Sequence, residues 1–166
     1  NIIEVKMKNE QKTVKSPDIQ CPVYKKCSGC QLQNMSYADQ LVWKQKMVSI
    51  LLDKFHSVNP IIGMKNPYHY RNKVQAAFRM DYIRKQIVSG VYQSKTHSIV
   101  PVNSCLIEDK KADQIIVTIR NLMKSFKLQP YDDRTGAGFL RHVLVKRGFV
   151  SGQIMVVLVT ASPILP

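Results

Sequence analysis

The chain has 166 residues, a length that suits one ordinary domain or two small ones. It carries 25 Lys and Arg against 11 Asp and Glu, a formal net charge of +14, and 45% of its residues are hydrophobic. This composition excludes wholesale disorder, and the charge indicates an anionic partner such as nucleic acid or a membrane surface. Residues 1–18 contain no signal-peptide stretch and no apolar run is long enough to span a membrane, so we expect a cytoplasmic protein.

The first predicted element is a helix that follows a cysteine-rich segment. Ser36 is a candidate N-cap, with Asp39 at the spacing of a capping box. Asn59 and Pro60 predict that the helix ends near Val58. Apolar residues recur at helical spacing on one stripe, namely Tyr37, Leu41, Val48, Leu51, Leu52 and Phe55.

The spacing of apolar residues changes to a period of two after Pro67. Between residues 73 and 80 they alternate with basic or polar residues, which predicts a half-buried strand with an open basic face. Shorter alternating segments predict a second strand over 87–91 and a third over 97–102.

The second helix has the most regular pattern in the chain, and Pro130 closes it. Two further strands are predicted over 139–146 and 153–160, joined by a glycine-containing hairpin loop. The last of them contains the run Ile154–Val159, and a strand that apolar is normally buried on both faces. The pattern therefore predicts an α+β fold with a mostly antiparallel sheet and two amphipathic helices. The second helix has its apolar residues three and four apart, at Ala112, Ile115, Ile116, Ile119, Leu122, Met123 and Phe126.

Positive charge is densest between Lys65 and His97, which contain seven basic residues and one acidic residue, Asp81. Basic side chains attract phosphates without regard to base sequence, and aromatic rings can stack on unpaired bases. A solvated basic face over a sheet core accounts for the same pattern equally well. Before His97, the segment also carries six aromatic or imidazole rings, those of Tyr68, His69, Tyr70, Phe78, Tyr82 and Tyr92.

The four cysteines form a candidate metal site. Cys21, Cys27 and Cys30 have C-x5-C-x2-C spacing, and Cys105 lies far downstream. Disulfides rank last because they need an oxidising compartment. Structural zinc usually takes two close pairs of ligands, whereas three near cysteines and a remote fourth are similar to an iron–sulfur arrangement. The spacing favours an iron–sulfur cluster and leaves zinc open.

Five ordered segments of the sequence resemble the iron–sulfur RNA uracil-C5 methyltransferases, bacterial enzymes that make 5-methyluridine in 23S ribosomal RNA. The resemblance runs from about Pro17 to Thr160, and one departure is Ser28, where the family often has glycine. The matching segments are 21–33 (CPVYKKCSGCQLQ), Ser36 to Lys44, 67–75 (PYHYRNKVQ), 97–102 (HSIVPV) leading to Cys105, and 138–143 (GFLRHV).

The resemblance implies a [4Fe–4S] cluster held by Cys21, Cys27, Cys30 and Cys105. It also implies a parent protein that uses S-adenosylmethionine, in which a catalytic cysteine adds to C6 of uracil before C5 attacks the methyl group. The chain contains no fifth cysteine for that role and no glycine-rich cofactor loop after a strand. We therefore expect no catalytic residue and no S-adenosylmethionine-binding residue within it.

Four residues are candidate RNA contacts. Arg71 matches the family's RNA-contacting arginine by resemblance, and Lys73 lies two residues further along the same predicted strand face. His97 and Arg141 are further candidates, for which a structural role between sheet neighbours is an equal alternative. The partner that the resemblance implies is structured RNA, in particular 23S ribosomal RNA, bound by a monomeric parent protein.

The resemblance also predicts a domain order. Residues 1–16 would be the tail of an upstream RNA-binding β-barrel or a linker, and 17–35 the iron–sulfur loop. Residues 36–66 would form a helix that packs on a catalytic domain absent from this chain. Residues 67–166 would form the central α+β RNA-binding domain, cut before the catalytic domain.

Two other hypotheses compete with this interpretation. One is a zinc-stabilised, non-catalytic RNA-binding module, which shares the basic strand and needs no downstream domain. The other is a structural or protein-interaction domain, which predicts no salt-dependent affinity for RNA. A membrane partner is the least favoured, because the cysteines lie beside the basic strand.

Overall fold

The computed structural model describes residues 21–164, which divide between two compact units. The smaller unit is Gln31–Met64, and the larger unit combines Cys21–Cys30 with residues 65–164. The cysteine loop is therefore grouped with the residues of the sheet and apart from the helix that follows it. The expected tail over residues 1–16 lies outside the described residues.

The smaller unit contains helix α1, Tyr37–Leu52. Ser36 caps it as predicted, because its hydroxyl oxygen accepts the backbone N–H of Asp39 at 3.2 Å. The helix ends six residues before the predicted Val58. Its side chains bind the returning chain instead: Tyr37 Oη accepts the N–H of Met64 at 2.7 Å.

The prediction that the first helix is amphipathic is wrong. Helix α1 buries no residue, and apolar side chains occur on more than one side of it. Val42 and Ile50 are 69% and 60% exposed. Within the described part of the smaller unit, the side-chain hydrogen bonds of the helix reach Met35 and the return segment over 59–64.

The larger unit is built on a five-stranded antiparallel sheet in the order β3-β2-β1-β4-β5. The strands are β1 (Lys73–Asp81), β2 (Gln86–Tyr92), β3 (Ile99–Pro101), β4 (Leu140–Arg147) and β5 (Ile154–Thr160). This arrangement confirms the predicted α+β class and mostly antiparallel sheet. The third strand is shorter than predicted, since only three of its residues pair with β2.

Helix α2, Lys110–Ser125, packs on one face of the sheet and confirms the second predicted amphipathic helix. Asp109 caps it by accepting the N–H groups of Lys111 and Ala112. Neither helix among residues 21–164 is both long and apolar enough to cross a bilayer. The core consists of apolar residues from α2, β1 and β4, namely Val74, Ala76, Phe78, Ala112, Ile116, Met123, Leu140, Val143 and Val145.

Strand β5 differs from the expectation of burial on both faces. It is one of the two edge strands of the sheet, and each residue of Ile154–Val159 is between 39% and 50% exposed. The helix packs over the centre of the sheet, so it leaves this edge uncovered. Phe78 belongs to the core, whereas Tyr70 is 43% exposed.

Candidate metal centre and nucleic-acid interface

The loop Cys21–Cys30 is folded by its own backbone. The N–H of Cys27 donates to the carbonyl of Val23 at 2.8 Å, and the N–H of Tyr24 donates to that of Cys21 at 3.1 Å. Gly29 donates its N–H to Cys27 Sγ at 3.4 Å. Such turns keep the first three cysteines in one compact loop, and all three are free thiols of intermediate exposure.

Two hydrogen-bonded connections determine what lies next to these cysteines. Ser28 Oγ accepts the N–H of Ser94 at 2.9 Å, which fastens the cysteine loop to the turn after β2. The segment before β1 pairs with the segment after Cys105: His69 N–H donates to Leu106, and Arg71 N–H donates to Ile107. Cys105, which follows Cys30 by 75 positions, belongs to the same unit as the cysteine loop.

Cys105 is held by a buried carboxylate. Asp113, in the first turn of α2, accepts the backbone N–H of Cys105 at 2.8 Å and is itself only 7% exposed. Glu108 is equally buried and interacts with Asp113. The Cys105 thiol thus stands beside two acidic side chains that the sequence analysis did not identify.

The electrostatic environment makes unliganded thiolates unfavourable. Burial raises the pKa of Cys30, and the neighbouring Cys27 and Cys21 raise it further, while Arg71 lowers it. Burial also raises the pKa of Cys105 to about 11. A bound cation reverses such shifts because it stabilises the thiolate form.

Glu108 and Asp113 form an acidic pair, and the pKa of Glu108 is shifted as well. Burial and the nearby Asp113 raise the pKa of Glu108 to about 7, against a smaller lowering by Arg71. His69, whose backbone is left-handed (φ 53°), brings Nδ1 within 2.8 Å of the Glu108 carbonyl oxygen. The positive charge of Arg71 therefore lowers the pKa of both Cys30 and Glu108.

The chemistry of the donor set suits a thiophilic metal or cluster, since four free thiols belong to one unit. Within residues 21–164, however, no three or more His, Cys, Asp or Glu side chains are arranged so that they could hold a metal ion. A metal would have to draw the sulfurs of Cys21, Cys27, Cys30 and Cys105 together.

The four candidate RNA contacts do not come together at one place. Arg71 is next to the cysteine loop, whereas Lys73 begins β1 and faces Lys146 of β4 in the sheet register. His97 is exposed, and its carbonyl oxygen accepts a hydrogen bond from Arg79 at 2.8 Å. Arg141 lies near the opposite end of β4 from Lys146.

Arg141 already has two partners in the protein. Its guanidinium carbon lies 3.7 Å from the ring centroid of Tyr131, and its Nη1 lies 3.6 Å from a carboxylate oxygen of Asp133. Both partners lie in the segment between α2 and β4.

The chain was compared with protein-family models and with known sequences. No protein-family model matches the chain. A Clostridium tetani protein named an uncharacterized RNA methyltransferase is 40% identical over 150 residues, which cover 88% of this chain and 32% of that protein. A Listeria innocua protein with a similar name is 35% identical over 150 residues, covering 88% and 33%.

A solved structure is also similar. The crystal structure of Pyrococcus abyssi tRNA (uracil-54, C5)-methyltransferase in complex with S-adenosyl-L-homocysteine matches with a TM-score of 0.69 and 26% identity. The match covers 85% of this chain and 33% of that one. The chain spans about a third of the length of the relatives it matches. By sequence and by structure, the chain is therefore similar to about a third of the length of proteins named RNA methyltransferases.

Proposed function

We propose that this chain is the RNA-binding, [4Fe–4S]-bearing segment of an S-adenosylmethionine-dependent RNA uracil-C5 methyltransferase. The observation that carries the proposal is the grouping of Cys21–Cys30 and Cys105 in one unit, with Arg71 acting on both Cys30 and the adjacent acid pair. Similarity to an archaeal uracil-C5 methyltransferase supports the reaction class. Methyl transfer itself is assigned to the part of the relatives that this chain does not span.

The residues proposed to hold the cluster are Cys21, Cys27, Cys30 and Cys105. A cluster would supply positive iron centres for four thiolates and would tie the cysteine loop to the segment before α2. In this proposal, Arg71 contacts RNA next to the cluster, and Lys73 contacts it at the start of β1.

The exposed apolar side chains of α1 support the proposal that this helix packs against the portion of the parent protein outside this chain. Val42, Ile50 and Leu51 are each more than half exposed. A solvated helix rarely carries so many large apolar residues without a partner surface.

Metal analysis of the full chain separates the iron–sulfur proposal from the zinc alternative. Anaerobic reconstitution with iron and sulfide is expected to give about four of each per chain, with an oxygen-sensitive brown colour. Stoichiometric zinc that iron does not displace would support the zinc-stabilised module instead, because four thiolates also suit tetrahedral zinc.

A gene deletion in the source organism tests which RNA is the substrate. Our proposal, following the sequence resemblance, is a uridine in 23S ribosomal RNA, whereas the solved neighbour is a tRNA enzyme. Deletion of the encoding gene is expected to remove 5-methyluridine from 23S ribosomal RNA and to leave tRNA unchanged. Loss from tRNA alone would redirect the substrate, and loss from neither would contradict the proposed reaction.

A further inference from the structure

The face of the sheet opposite α2 has a basic end. Of the four candidate RNA contacts, only Lys73 belongs to it. Side chains that point to this face follow from the register, since paired residues in an antiparallel ladder share a side. We define the basic end by five residues of β1, β2 and β4, namely Lys73, Gln75, Tyr92, His142 and Lys146.

Two lysines of the basic end oppose each other directly. Lys73 pairs with Lys146 in the ladder between β1 and β4, and both are exposed. Like charges in directly opposed positions destabilise a sheet, by up to about 1 kcal/mol. Neither ammonium group has a salt bridge to any residue in the described part of the chain. The pair therefore provides an unneutralised site where an anion would be stabilised.

Aromatic rings lie on the same face as the lysines. Tyr92 and His142 contact edge to face, with centroids 6.2 Å apart and planes at 71°. Tyr92 is 46% exposed, so part of its ring is open to solvent. His142 precedes Lys146 by four positions on β4, which places it on the same side of the sheet roughly 13 Å away.

The surroundings favour a polyanion. Over Lys73–Arg79 of β1, and over the segments of β2 and β4 beside it, no described acidic side chain points to this face. The hydrogen bond between Ser94 and Ser28 brings the cysteine loop to the turn at the end of β2, and that loop carries two more exposed lysines, Lys25 and Lys26.

We propose that the basic end binds single-stranded RNA, with a phosphate between Lys73 and Lys146 and an unpaired base on the Tyr92–His142 ring pair. The inference rests on the proposed RNA-binding function and adds Lys146, Tyr92, His142 and Gln75 to its contacts. Duplex RNA is excluded as the occupant because its bases are already stacked and cannot lie on an exposed ring. Gln75 lies between the lysines and the rings, where its amide can hydrogen-bond a base edge.

The test compares variants of the full chain for binding to a fluorescein-labelled, mixed-sequence 12-nucleotide RNA over a range of salt concentrations. Lys146→Gln is expected to reduce the steepness of the log Kd against log salt plot by about 0.7, the contribution of one phosphate contact on a single strand. Tyr92→Ala is expected to weaken binding roughly 5- to 140-fold with an unchanged salt slope. Tyr92→Phe, which keeps the ring, should retain most of the affinity.

The matched control is Lys124→Gln, which makes the same charge change in the last turn of α2, on the other side of the sheet. It should leave the salt slope and affinity for the single strand unchanged. Thermal melts of each variant establish that the fold is retained.

The outcomes separate this inference from the proposed function. Wild-type affinity in Lys146→Gln and Tyr92→Ala, with RNA binding otherwise intact, would overturn the inference and leave the proposed function standing. An equal loss of heparin binding by Tyr92→Ala would overturn it too, since heparin has no bases to stack. Absence of RNA binding by the wild-type chain would overturn both.

Discussion

The carboxylate of Asp113 accepts the backbone N–H of Cys105 at 2.8 Å, eight residues upstream in the chain. This bond ties the start of helix α2 to the remote cysteine of the candidate metal centre. The neighbouring segment is held independently by the backbone pairing of Arg71 with Ile107 and Asp109. Cys105 is thus connected to the first turn of α2, and the residues that follow it pair with the segment before β1.

Replacing Asp113 by alanine is expected to destabilise the chain by about 1–3 kcal/mol, because the N–H of Cys105 loses its acceptor in a half-buried position. Urea denaturation measures the change. Asp133→Ala is the matched control, since this carboxylate is 77% exposed and forms only a surface ion pair with Arg141. Equal effects of the two substitutions would contradict a specific role for Asp113.

Asp109 combines a helix cap with an ion pair, and two substitutions separate them. Its Oδ1 accepts the N–H groups of Lys111 and Ala112, and its Oδ2 accepts Arg147 at 2.9 Å. Asp109→Asn keeps an oxygen for the cap and is expected to cost about 1.5–3 kcal/mol through the ion pair. Asp109→Ala should cost about 1 kcal/mol more. Calorimetric unfolding would contradict this assignment if asparagine were no more stable than alanine.

Asp109 also predicts a dependence of stability on pH. Burial alone would raise the pKa of this carboxyl, but the hydrogen bonds from Ala112, Arg147 and Lys111 outweigh burial and lower it. A carboxylate with a lowered pKa contributes stability above its unfolded-state pKa of about 4, and loses it as the pH falls through the folded-state value. Wild-type stability should therefore fall more steeply below pH 4 than that of Asp109→Asn. Parallel curves would refute the assignment.

A structural role for the proposed cluster predicts a loss of stability when one ligand is removed. Cys27→Ser in the iron-reconstituted chain should lower the melting temperature by roughly 5 °C or more, about 2 kcal/mol for a chain of this size. RNA specificity should change less than the yield of folded protein. Ser28→Ala is the control, because Ser28 lies in the same loop as Cys27 and its substitution removes only the hydrogen bond from Ser94. An unchanged melting temperature for Cys27→Ser would argue against the structural role.

Local patterns were sufficient for most of the fold. The alternation around Phe78 predicted β1, the spacing around Ile116 predicted α2, and the capping residue Ser36 was identified correctly. These features depend on residues close together in the chain, which is why periodicity revealed them. The end of α1 differs from the prediction because the chain turns after Leu52, where the N–H groups of Phe55 and His56 donate to the Leu52 carbonyl.

Only some residues of the candidate sites could be predicted from the sequence. The cysteines stand out by their spacing, and Arg71 is indicated by the family resemblance. Asp113, in contrast, follows Ala112 in the apolar pattern of α2 and gives no signal by itself. A buried acid in the first turn of an otherwise apolar helix face is the one feature that could have drawn attention to it. Lys146 becomes informative only when the ladder places it opposite Lys73.

The sequence by itself determined the fold class, the positive charge and the chemistry of four free thiols, because composition and short-range spacing control these properties. Tertiary structure alone decided which groups are neighbours: Asp113 beside Cys105, Lys73 opposite Lys146, and Tyr92 against His142. Strand register and segment pairing join residues tens of positions apart. The free energy of those long-range contacts depends on the whole sheet, so no local sequence pattern predicts it.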